Sequence, residues 1–152
     1  MKNRYQVRRA TINDLTHIIG FISQEAFESE GRTADLDKLE VGIRTALGDD
    51  SIAMYWVLID QDRQPVGCTS VVKEWSDWNA GYYWWIQSLF IAPEHRGQGL
   101  LNVMMDAVVS DANASSCLEI RLYVHRDNAV AIRAYKKAEF HPSDYQIMTK
   151  QL

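Results

Sequence analysis

Cysteine, proline and long apolar runs are all scarce in this chain of 152 residues, and each shortage excludes a class of protein. Only two cysteines occur, Cys68 and Cys117, each within an apolar stretch. That count excludes a disulfide-stapled secreted scaffold and leads us to expect buried free thiols in a reducing, cytoplasmic compartment. The four histidines, at 17, 95, 125 and 141, show no metal-ligand spacing with one another or with the cysteines, so no metal is expected. There is no apolar leader at the N-terminus and no run long enough to cross a bilayer, so no membrane role is expected. Positive charge is also lacking: the net charge is −4, which gives no electrostatic footprint for nucleic acid. Internal repeats, low-complexity tracts and Gly/Pro-rich linkers are missing as well.

What is present is a globular composition, 47% hydrophobic and 24% charged. The length suits a single domain over residues 1–152 with a real core. The chain is organised around residues 82–109. Residues 82–91 are rich in aromatic and β-branched side chains, with only Gln87 and Ser88 clearly polar, which reads as a buried strand. Pro93 ends it. From Leu100 the apolar residues fall at 100, 101, 103, 104, 107 and 108, a helical spacing. Between strand and helix lie Arg96, Gly97, Gln98 and Gly99. Glycines before a helix's first turn let a bulky anion reach unpartnered amides where the helix dipole is positive, so a phosphate or pyrophosphate is a natural ligand. A plain tight turn is the alternative use of the same two glycines.

The remaining elements follow in order. Residues 5–9 read as a short strand. Thr11 offers a hydroxyl cap, supported by Asp14, to a helix whose stripe is Leu15, Ile18, Ile19, Ile22 and Ala26. A polar break at 29–33 precedes a second helix from about Asp35, with Leu36, Leu39, Ile43 and Leu47 on one face and Gly48 at its end. Residues 52–59 and 66–74 read as an antiparallel hairpin. Beyond the helix that ends near Ala114, residues 117–124 form a strand, 129–138 a helix and 145–149 a last strand. Strand 82–91, its crossover helix and strand 117–124 make a right-handed βαβ unit. The expected fold is therefore α/β (α+β), with a mixed, mostly antiparallel central sheet flanked by helices.

Two spaced segments carry a family resemblance. Arg96-Gly97-Gln98-Gly99-Leu100-Leu101 resembles the acyl-CoA-binding Arg/Gln-x-x-Gly-x-Gly/Ala motif of the GNAT superfamily of N-acetyltransferases, with Leu101 at the last position. Residues 128–140, with Asn128, Ala131, Tyr135 and Phe140, resemble the family's Asn-x-x-Ala-x-x-x-Tyr-x-x-x-Gly-Phe segment, with Glu139 where glycine is usual.

The resemblance implies a GNAT fold in which the central strands splay and admit the cofactor. It also implies acetyl transfer from acetyl-CoA to an amine, small or peptidic, within one ternary complex. Cofactor contacts carried over are Leu89, Phe90 and Ile91 through their main chain, Arg96, Gly97, Gln98, Gly99, Leu100 and Leu101 around the pyrophosphate, and Asn128 and Tyr135. The Leu89 N–H would meet the thioester carbonyl, where negative charge develops. Tyr135 would protonate the leaving thiolate. Plainer roles stand beside these: Asn128 as a helix cap, Tyr135 as a core ring, Arg96 as a solvated loop residue.

No general base is assigned. Some family members carry a glutamate at the position of Trp85; Glu74, Asp77 and Gln87 lie nearby in sequence, and Glu25 and Glu28 end the first helix. Alternate-residue parity would put Trp85, Gln87, Leu89 and Ile91 on one sheet face unless a bulge intervenes. Trp85 could then line the acceptor pocket, and core packing or a dimer contact would explain the aromatic cluster around it equally well. Dimers are common in the family, so a homodimer is one option. Two other readings compete: an acyl-CoA-binding module without turnover, and a different phosphate-binding α/β protein. The absence of Gly-Lys-Ser/Thr after the turn argues against a nucleotide-hydrolysing P-loop.

Overall fold

A computed structural model describes residues 4–152. Its five strands are β1 (Gln6–Arg9), β2 (Met54–Ile59), β3 (Pro65–Ser76), β4 (Gly81–Ile91) and β5 (Glu119–Leu122). The helices are α1 (Leu15–Glu30), α2 (Leu36–Leu47), α3 (Leu100–Ala114) and α4 (Ala129–Lys137). The sheet order follows the chain, β1-β2-β3-β4-β5. The first three pairings are antiparallel, and β4 pairs with β5 in parallel through the α3 crossover. This is the mixed sheet that the sequence leads one to expect.

Strand β2 shows why the sheet is stable. All six of its residues are buried, because both faces are covered. Tyr55, Val57 and Ile59 pack with α1 and α2 residues such as Ile18 and Ile43. Met54 and Trp56 pack with the α3 residues Met105 and Val108 on the other face, and Leu58 packs with Leu100 and Met104. A strand covered on both faces carries an unbroken apolar run instead of an alternating one. Burying such large side chains removes on the order of 1.5–3 kcal/mol each from the cost of folding. The indole N–H of Trp56 keeps a partner, donating to the Asp111 carboxylate at 2.8 Å.

At the start of α1, Thr11 and Asp14 form the expected reciprocal capping box. The buried Asp14 carboxylate accepts from the Thr11 amide at 2.8 Å and from the two terminal Arg8 guanidinium nitrogens, at 2.8 and 2.9 Å. These bonds, led by the one from Arg8, hold the Asp14 carboxyl below the usual carboxylate range against the opposing effect of burial.

Two expectations need correction. The strand expected over 117–124 is ordered only at Glu119–Leu122, and Cys117 at its start is half-buried. The last strand, expected at 145–149, has no ladder partner among the described residues, and Tyr145, Ile147 and Met148 are exposed. A strand needs an edge to pair with, and this segment leaves the body of the protein after His141-Pro142, where proline restricts the preceding residue.

Candidate active site

The site begins with a mismatch between two neighbouring strands. Strand β5 pairs with β4 only from Tyr83↔Glu119 to Ile86↔Leu122, whereas β4 runs on to Ile91. From Gln87 onward the β5-side edge of β4 is open, and a splay results. Opposite β3, the register jumps from Ser70↔Ser88 to Val71↔Ile86, so Gln87 is an extra residue in β4. Such a bulge re-aims the strand at the point where pairing ends. It also breaks the simple parity: Trp84 and Ile86 face α3, as do Leu89 and Ile91 beyond the bulge. Trp85 thus lies on the opposite face from Leu89 and Ile91.

That opposite face holds Tyr83 and Trp85, whereas Trp84 is buried on the α3 side against Trp56. Trp85 packs against Tyr123 with ring centroids 4.7 Å apart, and its indole N–H donates to Glu74 at 3.2 Å. The Arg121 guanidinium lies 3.6 Å from the centroid of the Tyr83 ring and 3.6 Å from the Glu74 carboxylate. The cation held by these rings is therefore one of the protein's own. Glu74, engaged by Trp85 and Arg121, is not a free base.

Beyond the bulge, Glu25 enters from α1. Its carboxylate accepts the Leu89 N–H at 3.2 Å. Burial pushes the Glu25 carboxyl up to about 7; the Leu89 bond opposes this, and the negative charge of Glu28 adds to it. Glu28 itself pairs with Arg96 at 2.8 Å, and Arg96 Nε donates to the Ile91 carbonyl at 2.7 Å. Phe90 is buried against Phe21 of α1, with centroids 5.5 Å apart, so only its main chain can face the splay.

Tyr135 lies on α4, capped by Asn128, whose side-chain oxygen accepts the Ala131 amide at 3.1 Å. The Tyr135 ring meets Phe140 edge-on at 5.7 Å. Burial, and secondly the charge of Glu25, push its phenol up to about 12. The hydroxyl therefore stays protonated at neutral pH. Among the described residues no buried side-chain polar atom is left without a partner, and the Tyr135 hydroxyl makes no hydrogen bond to them. Glu139 takes the left-handed conformation, φ 68°, that ends α4, which explains why glycine is usual there.

The turn into α3 is the third part. Gly97 and Gly99 have φ of 76° and 73°, and a Cβ at either would meet nothing within 4 Å. Both positions need glycine for their backbone, and both leave the main chain open to an approaching group. Gly99 caps α3 without a side-chain bond, and among the described residues no amide from 97 to 101 donates to a protein acceptor. Leu101 packs its side chain toward the α3-side core, so its bulk is not spent at the open amides. Tyr5, just before β1, steadies the turn, with its hydroxyl 2.9 Å from His95 Nδ1 and 3.4 Å from the Gln98 side chain.

Residues 12–140 match the model of the GNAT acetyltransferase family. The chain belongs to that family. It is 28% identical to the crystal structure of a possible acetyltransferase from Clostridium difficile 630, with a TM-score of 0.91 over 99% of both chains. A predicted acetyltransferase from Clostridium acetobutylicum, solved with acetyl-CoA, superposes with a TM-score of 0.77 at 18% identity over 96% of each chain. The ribosomal-protein-alanine N-acetyltransferase of Brucella melitensis gives 0.79 at 15% identity, over 97% of this chain and 99% of the other. No curated protein matches. The likenesses below 25% identity establish the fold. Among the described residues no helix is long and apolar enough to cross a membrane, and no cluster of His, Cys, Asp and Glu could hold a metal ion.

Within this GNAT acetyltransferase, Leu89 lies on the stretch of β4 beyond its pairing with β5, and Tyr135 lies close enough to Glu25 to feel its charge, whereas Trp85 stands on the other face of β4. The residue that sequence reading left among several candidates is Glu25. Its sequence neighbourhood is that of an ordinary polar helix end, and its meeting with the Leu89 amide joins residues 64 positions apart.

Proposed function

We propose that this chain, acting as one domain over residues 1–152, transfers an acetyl group from acetyl-CoA to a primary amine of a small molecule or peptide. The observation that carries this reading is the Glu25–Leu89 hydrogen bond at the splay, with the protonated Tyr135 close enough to feel the Glu25 charge. The open amides at 97–101 and the two left-handed glycines fit a pyrophosphate, and the unpaired edge of β4 fits an amide-bearing arm that adds like a strand. Acetyl-CoA, when bound, supplies an activated acetyl thioester.

The residues then divide the work. Leu89 N–H stabilises negative charge on the acyl oxygen, a role that requires Glu25 to release it. Glu25, ionised above about pH 7 and freed from that bond, takes the proton that the amine must lose to attack. Tyr135 donates its hydroxyl proton to the departing sulfur. Asn128 and the α3 turn bind and orient the donor. A cleft of about 540 Å3 between α2 and the sheet, lined by Ile22, Leu39, Tyr55, Val72, Gln87 and Ser88 with Asp35 and Lys38, opens beside the bulge and suits an amine with an apolar body.

Calorimetric titration with acetyl-CoA, with ATP and dephospho-CoA as controls, tests the donor half. Saturable binding specific to acetyl-CoA is expected, followed by thiol release with members of an amine panel. Absence of binding at millimolar ligand would overturn the reading.

A further inference from the structure

One wall of the cleft beside the β4 bulge breaks two local rules of helix formation. Helix α2 turns Lys38, Leu39, Gly42, Ile43 and Ala46 toward the cleft, at the spacing of a single helix face. Gly42 lies in the middle of that helix, where alanine is the more stable residue. Its backbone is not left-handed, and a Cβ there would meet nothing within 4 Å. Neither the path of the chain nor close packing therefore requires glycine. What the missing side chain leaves is room in the cleft.

Lys38 is the second departure. It stands three positions after the Asp35 cap, in the first turn, where the helix dipole favours an anion. The Asp35 carboxylate is taken up by the amides of Asp37 and Lys38, at 3.1 and 3.2 Å. Among the described residues the Lys38 ammonium pairs with no carboxylate. It thus presents an unneutralised positive charge to the cleft. Residues that break local preference with no structural return are expected where function uses them.

The cleft also leads to the reacting groups. Ile22, which lines it, stands one helical turn before Glu25 on α1, and Ser88, which lines it too, precedes Leu89. Tyr55 and Val72 form its floor, and Trp85, the register partner of Val72, continues that floor. Its volume of about 540 Å3 is that of a small-molecule pocket, more than a short unbranched amine fills. Tyr55 offers it an aromatic surface, against which another ring packs well. Resting on the acetyl-transfer reading for the reaction itself, we infer that this α2 wall selects the acceptor. Gly42 admits a ring-bearing apolar body, and Lys38 repels a second ammonium group. The substrate class is a primary monoamine carried on a ring, as opposed to a linear polyamine or a polycationic sugar.

Phenethylamine, butylamine and putrescine test this as a ring-bearing monoamine, a linear monoamine and a linear diamine. With acetyl-CoA and the full chain, kcat/KM for phenethylamine should exceed the other two by about tenfold or more. Gly42→Leu should lower the phenethylamine value by about tenfold or more and leave butylamine within about twofold. Gly42→Ala and Lys38→Glu should both raise the Tm, because each restores a helix preference. Lys38→Glu should also raise putrescine turnover by about threefold relative to butylamine. Gly20→Ala is the control: it lies in α1 on a different groove, and should raise the Tm without altering any kinetic value. Unchanged phenethylamine turnover in Gly42→Leu, an equal loss for all three amines, or a wild-type preference for putrescine would each overturn the inference. A lower Tm for Gly42→Ala would overturn it too, since the fold itself would then need the glycine. Calorimetry with phenethylamine, with and without CoA, separates the cleft from the transfer reading. Saturable binding that Gly42→Leu abolishes would support the cleft even in a protein that fails to transfer acetyl groups. No saturable binding under either condition would overturn it.

Discussion

The Glu25 carboxylate occupies the Leu89 N–H at 3.2 Å, so a single contact holds both the proposed base and the proposed oxyanion donor in reserve. A similar arrangement recurs one step along, where Arg96 Nε occupies the Ile91 carbonyl at 2.7 Å while its terminal nitrogen binds Glu28. Two α1 carboxylates are thereby linked to the open edge of β4, one directly and one through Arg96. On the proposed reading, donor binding at that edge displaces Glu25 and Arg96 from these partners, so that Glu25 is released by the same event that makes a base useful.

Glu25→Gln should lower kcat about 100-fold, the ordinary range for loss of a general base. The pH profile is the sharper readout. Wild-type kcat/KM is expected to rise with pH through about 7 as Glu25 ionises, and the variant should lack that limb. An unchanged profile in the variant would remove Glu25 from the mechanism.

The same group should mark stability. Its carboxyl lies at about 7 in the folded protein against an ordinary 4.5, so folding favours the protonated form. Its contribution is fully present below about pH 4.5, declines as pH rises toward 7 and is lost above that. Between pH 4 and pH 8, denaturant unfolding should show Glu25→Gln gaining about 2–3 kcal/mol relative to wild type. Parallel curves would contradict the burial assigned to Glu25.

Tyr135→Phe should retain acetyl-CoA binding within a few-fold while kcat drops by about 100-fold. The ring and its edge-on contact with Phe140 survive the change, so a fall in stability is not expected. Transfer at the wild-type rate would show that the leaving sulfur takes its proton from elsewhere, and loss of cofactor binding would indicate a structural role.

Much of this was legible in the chain, and the exceptions have physical causes. Strand β4, the crossover helix and the glycine turn were readable because local periodicity and left-handed backbone needs are written in consecutive residues. The sidedness of Trp85 was not, because the bulge at Gln87 depends on how β3 and β4 find their register across the sheet. Glu25 was only one candidate among several, since its meeting with Leu89 joins residues 64 positions apart. The segment 145–149 has a strand's composition, but a strand also requires an edge to pair with, and sequence periodicity does not supply one.

Gly99→Ala tests the anion site with a minimal change. The position has φ 73°, where an added Cβ costs about 1–2 kcal/mol of backbone strain, although it would touch nothing within 4 Å. Acetyl-CoA affinity should fall by about tenfold or more as the amides beside it shift. Glu139→Gly provides the matched control: its φ of 68° lies in the same region, and replacing glutamate there should stabilise the fold by roughly 1 kcal/mol. Affinity lost in Gly99→Ala but unchanged in Glu139→Gly would assign the loss to the turn's amides, since the two changes act on the same kind of backbone at different ends of the site. Equal affinity in Gly99→Ala and wild type would mean that the turn before α3 does not hold the pyrophosphate.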